Sequence, residues 1–167
     1  MALIRATLQR NGISQFALMI AIDYELKQLS VAQGNETRGA PGPQPAGANI
    51  RELKWNDELA KVAQAWADQC INNQESSPYR KICSRSYEVG QNIVMFGGSL
   101  NDTVMWANTY EIGCGHVHYN TTNSERKIYV CNYGPAGNIP GEEIYAQGTA
   151  ASQCINGIST TYPDLCA

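Results

Sequence analysis

Apolar positions mark the chain into blocks before any single residue stands out. Ile13 to Val31 carries Phe16, Met19, Ile20, Leu26 and Leu29 among others, dense enough for a helix buried over a broad face. Gly34 to Asn49 interrupts it: Gly39, Pro41, Gly42, Pro43, Pro45 and Gly47 exclude helix and ladder alike, so an extended stretch packed on the surface is expected. Asn56 to Asn73 is the clearest helix. Leu59, Val62, Ala63, Trp66 and Cys70 share a face, while Asp57, Lys61, Gln64 and Asp68 lie largely away from it. Asn56 suits the N-cap, and Asp57 and Glu58 complement the dipole of the first turn. Trp66 is either a stacking surface for a ligand or a core anchor, and the apolar period favours the anchor.

Further along, Glu88 to Met95 reads as a short helix or turn ended by Gly97-Gly98, and Asn101 to Asn108 as a short helix with Trp106 buried. Two apolar runs, Ile112–Cys114 and Ile128–Cys131, flank a polar insert holding Asn120, Asn123, Ser124, Glu125 and Arg126, which predicts a strand, a turn and a returning strand. The second run leads into Asn132-Tyr133-Gly134-Pro135-Ala136-Gly137-Asn138, a segment rich in turn residues. Beyond Ile139 the chain becomes loop-like, with Cys154 and Cys166 closing a small tail around Asn156-Gly157.

Composition narrows the class. At 167 residues one domain with a real core is the default. Charged residues make up 16% and the net charge is −3, which gives no footprint for nucleic acid or an anionic membrane. Six cysteines without CxxC spacing, beside only two histidines, favour disulfides in an exported chain over a zinc framework. Six cysteines allow fifteen pairings; the sequential set, Cys70–Cys83, Cys114–Cys131 and Cys154–Cys166, is the expected one. A cysteine in each hairpin arm bridges the strands if the register places them opposite. Asn35-Glu-Thr37, Asn101-Asp-Thr103 and Asn120-Thr-Thr122 fit the glycosylation acceptor pattern, Asn120 at the predicted turn. Arg5 and Arg10 precede the apolar run Phe16–Ile22, a degraded signal-peptide pattern without a clean cleavage site. That run is too short to span a bilayer, and a buried first helix explains it equally well.

Several blocks resemble one family. Ile128-Tyr-Val-Cys-Asn-Tyr-Gly-Pro-Ala-Gly-Asn-Ile139 is similar to the second signature of the CAP superfamily of cysteine-rich secretory, antigen-five and pathogenesis-related proteins. Val104-Met-Trp-Ala-Asn-Thr109 with Ile112-Gly-Cys-Gly115 resembles the later part of its first signature. Glu36-Thr-Arg-Gly-Ala-Pro-Gly-Pro-Gln-Pro45 and Leu53-Lys-Trp-Asn-Asp-Glu-Leu59 resemble the arthropod venom-allergen branch. The resemblance implies an α/β fold of the α+β type: an extracellular α-β-α sandwich, with a small antiparallel sheet flanked by helices and stapled by disulfides. On this reading residues 1–22 are a divergent N-terminal segment, 23–139 the CAP-like domain, internally shortened near 97–101, and 140–167 a cysteine-containing tail.

The resemblance also implies a central cavity lined by two histidines and two glutamates, and here the chain departs from the family. Asp23 stands at the first histidine position, Leu100 at the second, and Gln91 of Gly90-Gln91-Asn92 at one glutamate. The helix expected to carry the other glutamate is missing. Imidazole-based metal binding needs at least a pair of histidines held in geometry, which these positions do not supply. His116 and His118, at i and i+2 on the predicted strand, share a face and form a candidate weak metal site, with Glu111 or Glu125 as the available oxygen donors. No nucleophile–base arrangement is apparent.

The expected function is that of a secreted, non-catalytic CAP-like protein of venom-allergen type, without a cofactor. It would bind a small apolar ligand (a sterol or fatty acid) or a host or receptor protein. Ile20, Leu26, Val94, Met95, Phe96, Val104 and Met105 are the candidate groove lining, with ordinary core as the competing reading. The alternatives are a shortened gene product without activity and a protease-like enzyme.

Overall fold

The computed structural model describes residues 15–38, 42–71, 73–74, 77–95, 105–122 and 124–167. Helix α1 spans Gln15–Ala32 and α2 spans Asp57–Ala67; between them lies the two-residue strand β1, Lys54–Trp55. After a 3-10 turn at Ser77–Arg80 come β2 (Gly90–Met95), β3 (Glu111–Asn120) and β4 (Glu125–Gly134). The sheet runs β1-β3-β4-β2, antiparallel except where β1 lies parallel to β3. The apolar run Phe16–Ile22 thus belongs to α1, and Ile20 and Ala21 are buried in the core.

Two helices cover the two faces, and strand alternation decides which side chains meet which helix. On one face Ile20, Ala21 and Tyr24 of α1 pack on Ile112, Cys114, Cys131 and Tyr133. On the other, Ala63 and Ala67 of α2 pack on Ile128 and Val130, with Trp66, Ile93 and Met95 around them. Trp66 packs half-buried against this cluster, its indole N–H donating to the Asn73 carbonyl at 2.8 Å. α2 starts where the sequence places it: the Asn56 side chain accepts from the Glu58 and Leu59 amides at 2.9 and 3.1 Å.

β3 meets α2 through glycine. A Cβ on Gly113 would lie 2.2 Å from the Ala60 nitrogen, and one on Gly115 would lie 2.3 Å from the Gln64 Cα. The helix backbone rests directly on the strand. β1 is only two residues long, so among the described residues much of β3 has no strand on that edge, and α2 takes over part of that role. The Gln64 amide donates to the His116 carbonyl at 2.8 Å and accepts the His116 N–H at 2.9 Å, so a side chain satisfies edge groups that a longer strand would have paired.

Three expectations change. Gly90–Met95 is a strand, not a helix or turn. Five of its six residues are half-buried and Gln91 is buried, so the segment lacks the clean alternation that marks a strand with one exposed face. Trp106 is buried as expected, but residues 105–110 are irregular with a turn at 107–108 rather than helix; Asn101–Val104 lie outside the described residues. Gly137 gives that ring its place, since a Cβ there would lie 2.7 Å from the Trp106 Cβ. Cys114 faces Cys131 in register and the bridge is formed, as is Cys154–Cys166. Cys70 and Cys83, in contrast, are exposed and unbridged. Cys70 follows the C-terminal end of α2, while the Cys83 N–H donates to Glu58 in its first turn at 2.6 Å. An eleven-residue helix, ~16 Å long, holds the two apart.

The segment after residue 139 lacks helix and strand but packs tightly. Leu165 joins Val31, Ala32 and Ile50 in a further apolar cluster. The Cys166 N–H donates to the Ile50 carbonyl and the Cys166 carbonyl accepts the Glu52 N–H, both at 2.8 Å. The glycine- and proline-rich stretch is likewise pinned, through Gly47 paired with Gln147 and the Ala48 N–H donating to Ala146 at 2.7 Å.

Candidate functional site

The seam between α1 and the sheet is the place to test the expected cavity chemistry. Ile20, Tyr24 and Gln28, spaced by four, line the buried side of α1. Tyr24 crosses to β4, where its hydroxyl lies 2.7 Å from that of Tyr133 and the two rings meet edge to face at 5.6 Å. The Asn92 amide points at the same Tyr24 oxygen, at 3.5 Å. Burial, reinforced by Tyr24, holds the Tyr133 phenol well above its ordinary range. It stays neutral and works as a hydrogen-bonding group rather than a proton acceptor.

The neighbouring residue on β2 points the other way. Gln91 is buried beneath α2, donating to Asn132 Oδ1 at 3.0 Å, while the Asn132 amide reaches the Leu59 carbonyl at 3.5 Å. Asp23 lies on α1, paired with Lys27 at 3.1 Å. Asp23 and Gln91 therefore find their partners on opposite sides of the sheet, and Leu100 lies outside the described residues. The α1 residue that reaches the sheet is Tyr24, one place along. Its spacing of four from Ile20 and from Gln28 was the available signal.

The histidines are placed apart from this seam. His116 stacks on its register partner Tyr129, ring centroids 6.2 Å apart, and His118 Nε2 pairs with the Glu125 carboxylate. Glu111, the other proposed oxygen donor, sits at the far end of β3. Among the described residues no three or more His, Cys, Asp or Glu side chains form a group that could hold a metal ion. The expected apolar lining is dispersed too. Ile20 is in the α1 core, Met95 packs under α2, Met105 joins the Leu165 cluster and Leu26 is exposed; Phe96 and Val104 lie outside the described residues. An open cleft of about 600 Å3 lies elsewhere, lined by Gln44, Pro45, Glu142, Glu143, Ile144, Tyr145 and Gln147.

Glu111, buried at the start of β3, is a heavily bonded carboxylate. It accepts from Arg85 Nε at 2.8 Å, Arg85 Nη2 at 2.7 Å, the Tyr87 hydroxyl at 2.5 Å and Asn56 Nδ2 at 3.0 Å. Burial pushes its carboxyl up, but Arg85, Tyr87 and Asn56 together outweigh it and leave the group below its ordinary value. A depressed folded value stabilises the fold above the unfolded value of 4.5, and that contribution is lost as pH falls through the folded value. Glu111→Gln is expected to lower stability near neutral pH by about 1–3 kcal/mol, the scale of hydrogen bonds to a charged group. Urea midpoints followed from neutral into acid should converge for variant and wild type; parallel curves would contradict this role.

Residues 31–133 match the family described as CAP, the cysteine-rich secretory protein family. Venom allergen 5 of Vespa velutina is 40% identical over 172 residues, covering 84% of this chain and 85% of the relative. Venom allergen 5 of Vespula maculifrons is 36% identical over 151 residues, covering 69% of this chain and 72% of the relative. Among solved structures, NaASP2 with Zn2+ superposes with a TM-score of 0.73 at 24% identity, over 94% of this chain and 98% of that one. BmVAL-1 gives 0.74 at 21% identity, over 93% and 95%. Those two likenesses speak to the fold, and the α-β-α layering agrees with them. On the sequence matches, the chain belongs to the CAP family of cysteine-rich secretory proteins and is venom allergen-like.

Proposed function

We propose that this protein is secreted and acts by binding a small apolar molecule, without turning over a substrate. The observation that carries the reading is an apolar stripe on the outer side of α1: Met19 and Leu26, 64% and 41% exposed, flank the half-buried Ile22. These positions, at i, i+3 and i+7, lie opposite the side that packs on the sheet. A helix apolar on both sides is unusual at a surface and marks a place where something docks. The seam beneath it offers phenols and amides, which supports binding over proton transfer. Two disulfides, exposed acceptor sites at Asn35 and Asn120, and venom relatives support export. Among the described residues no helix is long and apolar enough to cross a membrane.

Titration of the refolded protein with a fluorescent fatty acid or sterol tests the reading. Saturable micromolar binding is expected, weakened about tenfold or more in a Met19→Glu/Leu26→Glu double variant, the loss of at least 1.4 kcal/mol. No saturable binding, or equal binding by the variant, overturns it. The match to Vespula maculifrons runs over 151 residues while using 69% of this chain, which supports an internal shortening. Sequencing the transcript and its exon boundaries across Gly98–Asn101 checks that point.

A further inference from the structure

α1 holds two buried polar side chains that its packing does not account for. Glu25 and Gln28 are 3% and 2% exposed and lie one turn apart on the inner side of the helix. Glu25 Oε2 accepts the Leu53 N–H at 3.1 Å. Among the described residues Glu25 Oε1 and Gln28 Oε1 have no hydrogen-bond partner. Two orphaned acceptors in one buried place are costly, and an ionised carboxylate adds an unpaired charge. A carboxylic acid removes both difficulties, because it carries the donor that a carboxylate lacks.

We infer that Glu25 is a neutral carboxylic acid whose Oε1–H donates to Gln28 Oε1 while Oε2 accepts from Leu53, forming a latch between α1 and the lead-in to β1 that opens when the proton leaves. The charges around it favour this form. From the 51–53 segment Glu52 faces it, a like charge whose Oε2 accepts the Ser159 hydroxyl at 2.6 Å. From the C-terminal segment Tyr162 faces it, its phenol raised by burial and by Glu25 and Glu52. Of the described cations nearest it along the chain, Lys27 pairs with Asp23, and Arg51 lies over the Tyr110 ring and donates to the Ala167 carbonyl. Burial pushes the Glu25 carboxyl from 4.5 to about 8, against the downward pull of the Leu53 N–H and with Glu52 adding to the rise.

The direction follows from the proton count. Between the unfolded value of 4.5 and the folded value of about 8 the native chain holds a proton that the unfolded chain has released. Stability from the latch is complete below that window, declines through it and is gone above it. Leu53 and Tyr24 share the α1 core cluster, so opening the latch loosens the docking of α1 on the sheet.

The test compares the full chain with Glu25→Gln, whose amide keeps one acceptor and one donor but does not titrate. The wild-type thermal midpoint should fall by at least roughly 5 °C more than that of the variant between about pH 6 and pH 9. Leu53 amide exchange should rise with pH more steeply than base catalysis alone accounts for, in wild type alone. Should Glu25→Gln fail to fold, carbon-detected NMR titration of the wild-type Glu25 carboxyl decides by itself: a transition near 8 supports the latch, and one near 4.5 overturns it. Equal pH dependence in both proteins overturns it. So does recovery of the wild-type midpoint at pH about 9 on adding sodium or calcium, which would make the orphaned oxygens a cation site.

Discussion

Gly113→Ala is expected to destabilise the protein by about 3 kcal/mol, the upper end of the usual range for overpacking. The new Cβ would lie 2.2 Å from the Ala60 nitrogen and 2.6 Å from the Asn56 carbonyl oxygen. Both are backbone atoms, so no rotamer change relieves the contact; α2 must lift off β3 or the strand must bend. Gly115→Ala meets the same obstacle at the Gln64 nitrogen, 2.4 Å away. The lift would also pull the Gln64 amide from the His116 backbone and uncover the strand edge. Urea unfolding measures the cost. An alanine variant as stable as wild type would show that α2 does not rest on the strand backbone.

The second large effect concerns the hairpin. Cys114→Ala/Cys131→Ala is expected to cost about 2–5 kcal/mol, the usual range for removing a native bridge from a small domain. The bridge spans a separation of 17 residues and joins directly opposed positions in the middle of two ten-residue strands. Both cysteines also belong to the core cluster beneath α1, so part of the loss is packing that alanine does not refill. Guanidinium midpoints in non-reducing buffer, with Cys154–Cys166 left intact, isolate the contribution. A variant with an unchanged midpoint would assign the hairpin's stability to its ladder alone.

Local signals carried far in this chain, and non-local ones did not. Asn56 and the apolar period of α2 are readable because capping and amphipathicity operate within a few residues. The hairpin is readable for the same reason, although its strands extend well past Ile112–Cys114 and Ile128–Cys131 into polar positions such as His118 and Arg126. β2 was hidden because its residues are half-buried without alternation, and Gln91 and Asn92 look alike in sequence while pointing to opposite layers. Cys70 and Cys83 are neighbours in sequence, yet the length of α2 separates them, which spacing alone does not reveal. Which α1 side chain reaches the sheet was not legible either: Tyr24, which meets Tyr133, is one residue from Asp23, and on a helix that step turns a side chain by about 100 degrees. Glu25 gave no sequence signal, since glutamates are rarely buried and only the fold shows what surrounds this one.

The seat of Trp106 has a spectroscopic consequence. Its indole is 4% exposed and held against Gly137, while the next residue, Ala107, donates its N–H to Ile144 at 2.8 Å. Trp66 is only partly buried and sits at the α2 layer; Trp55 lies at the sheet edge, bonded to Asp57 at 2.9 Å. The three emitters thus sample three regions at different polarity. Blue emission selected from Trp106 reports where the chain leaves the hairpin and meets the C-terminal segment, while the redder light follows α2 and the edge, so the protein carries its own regional optical probes.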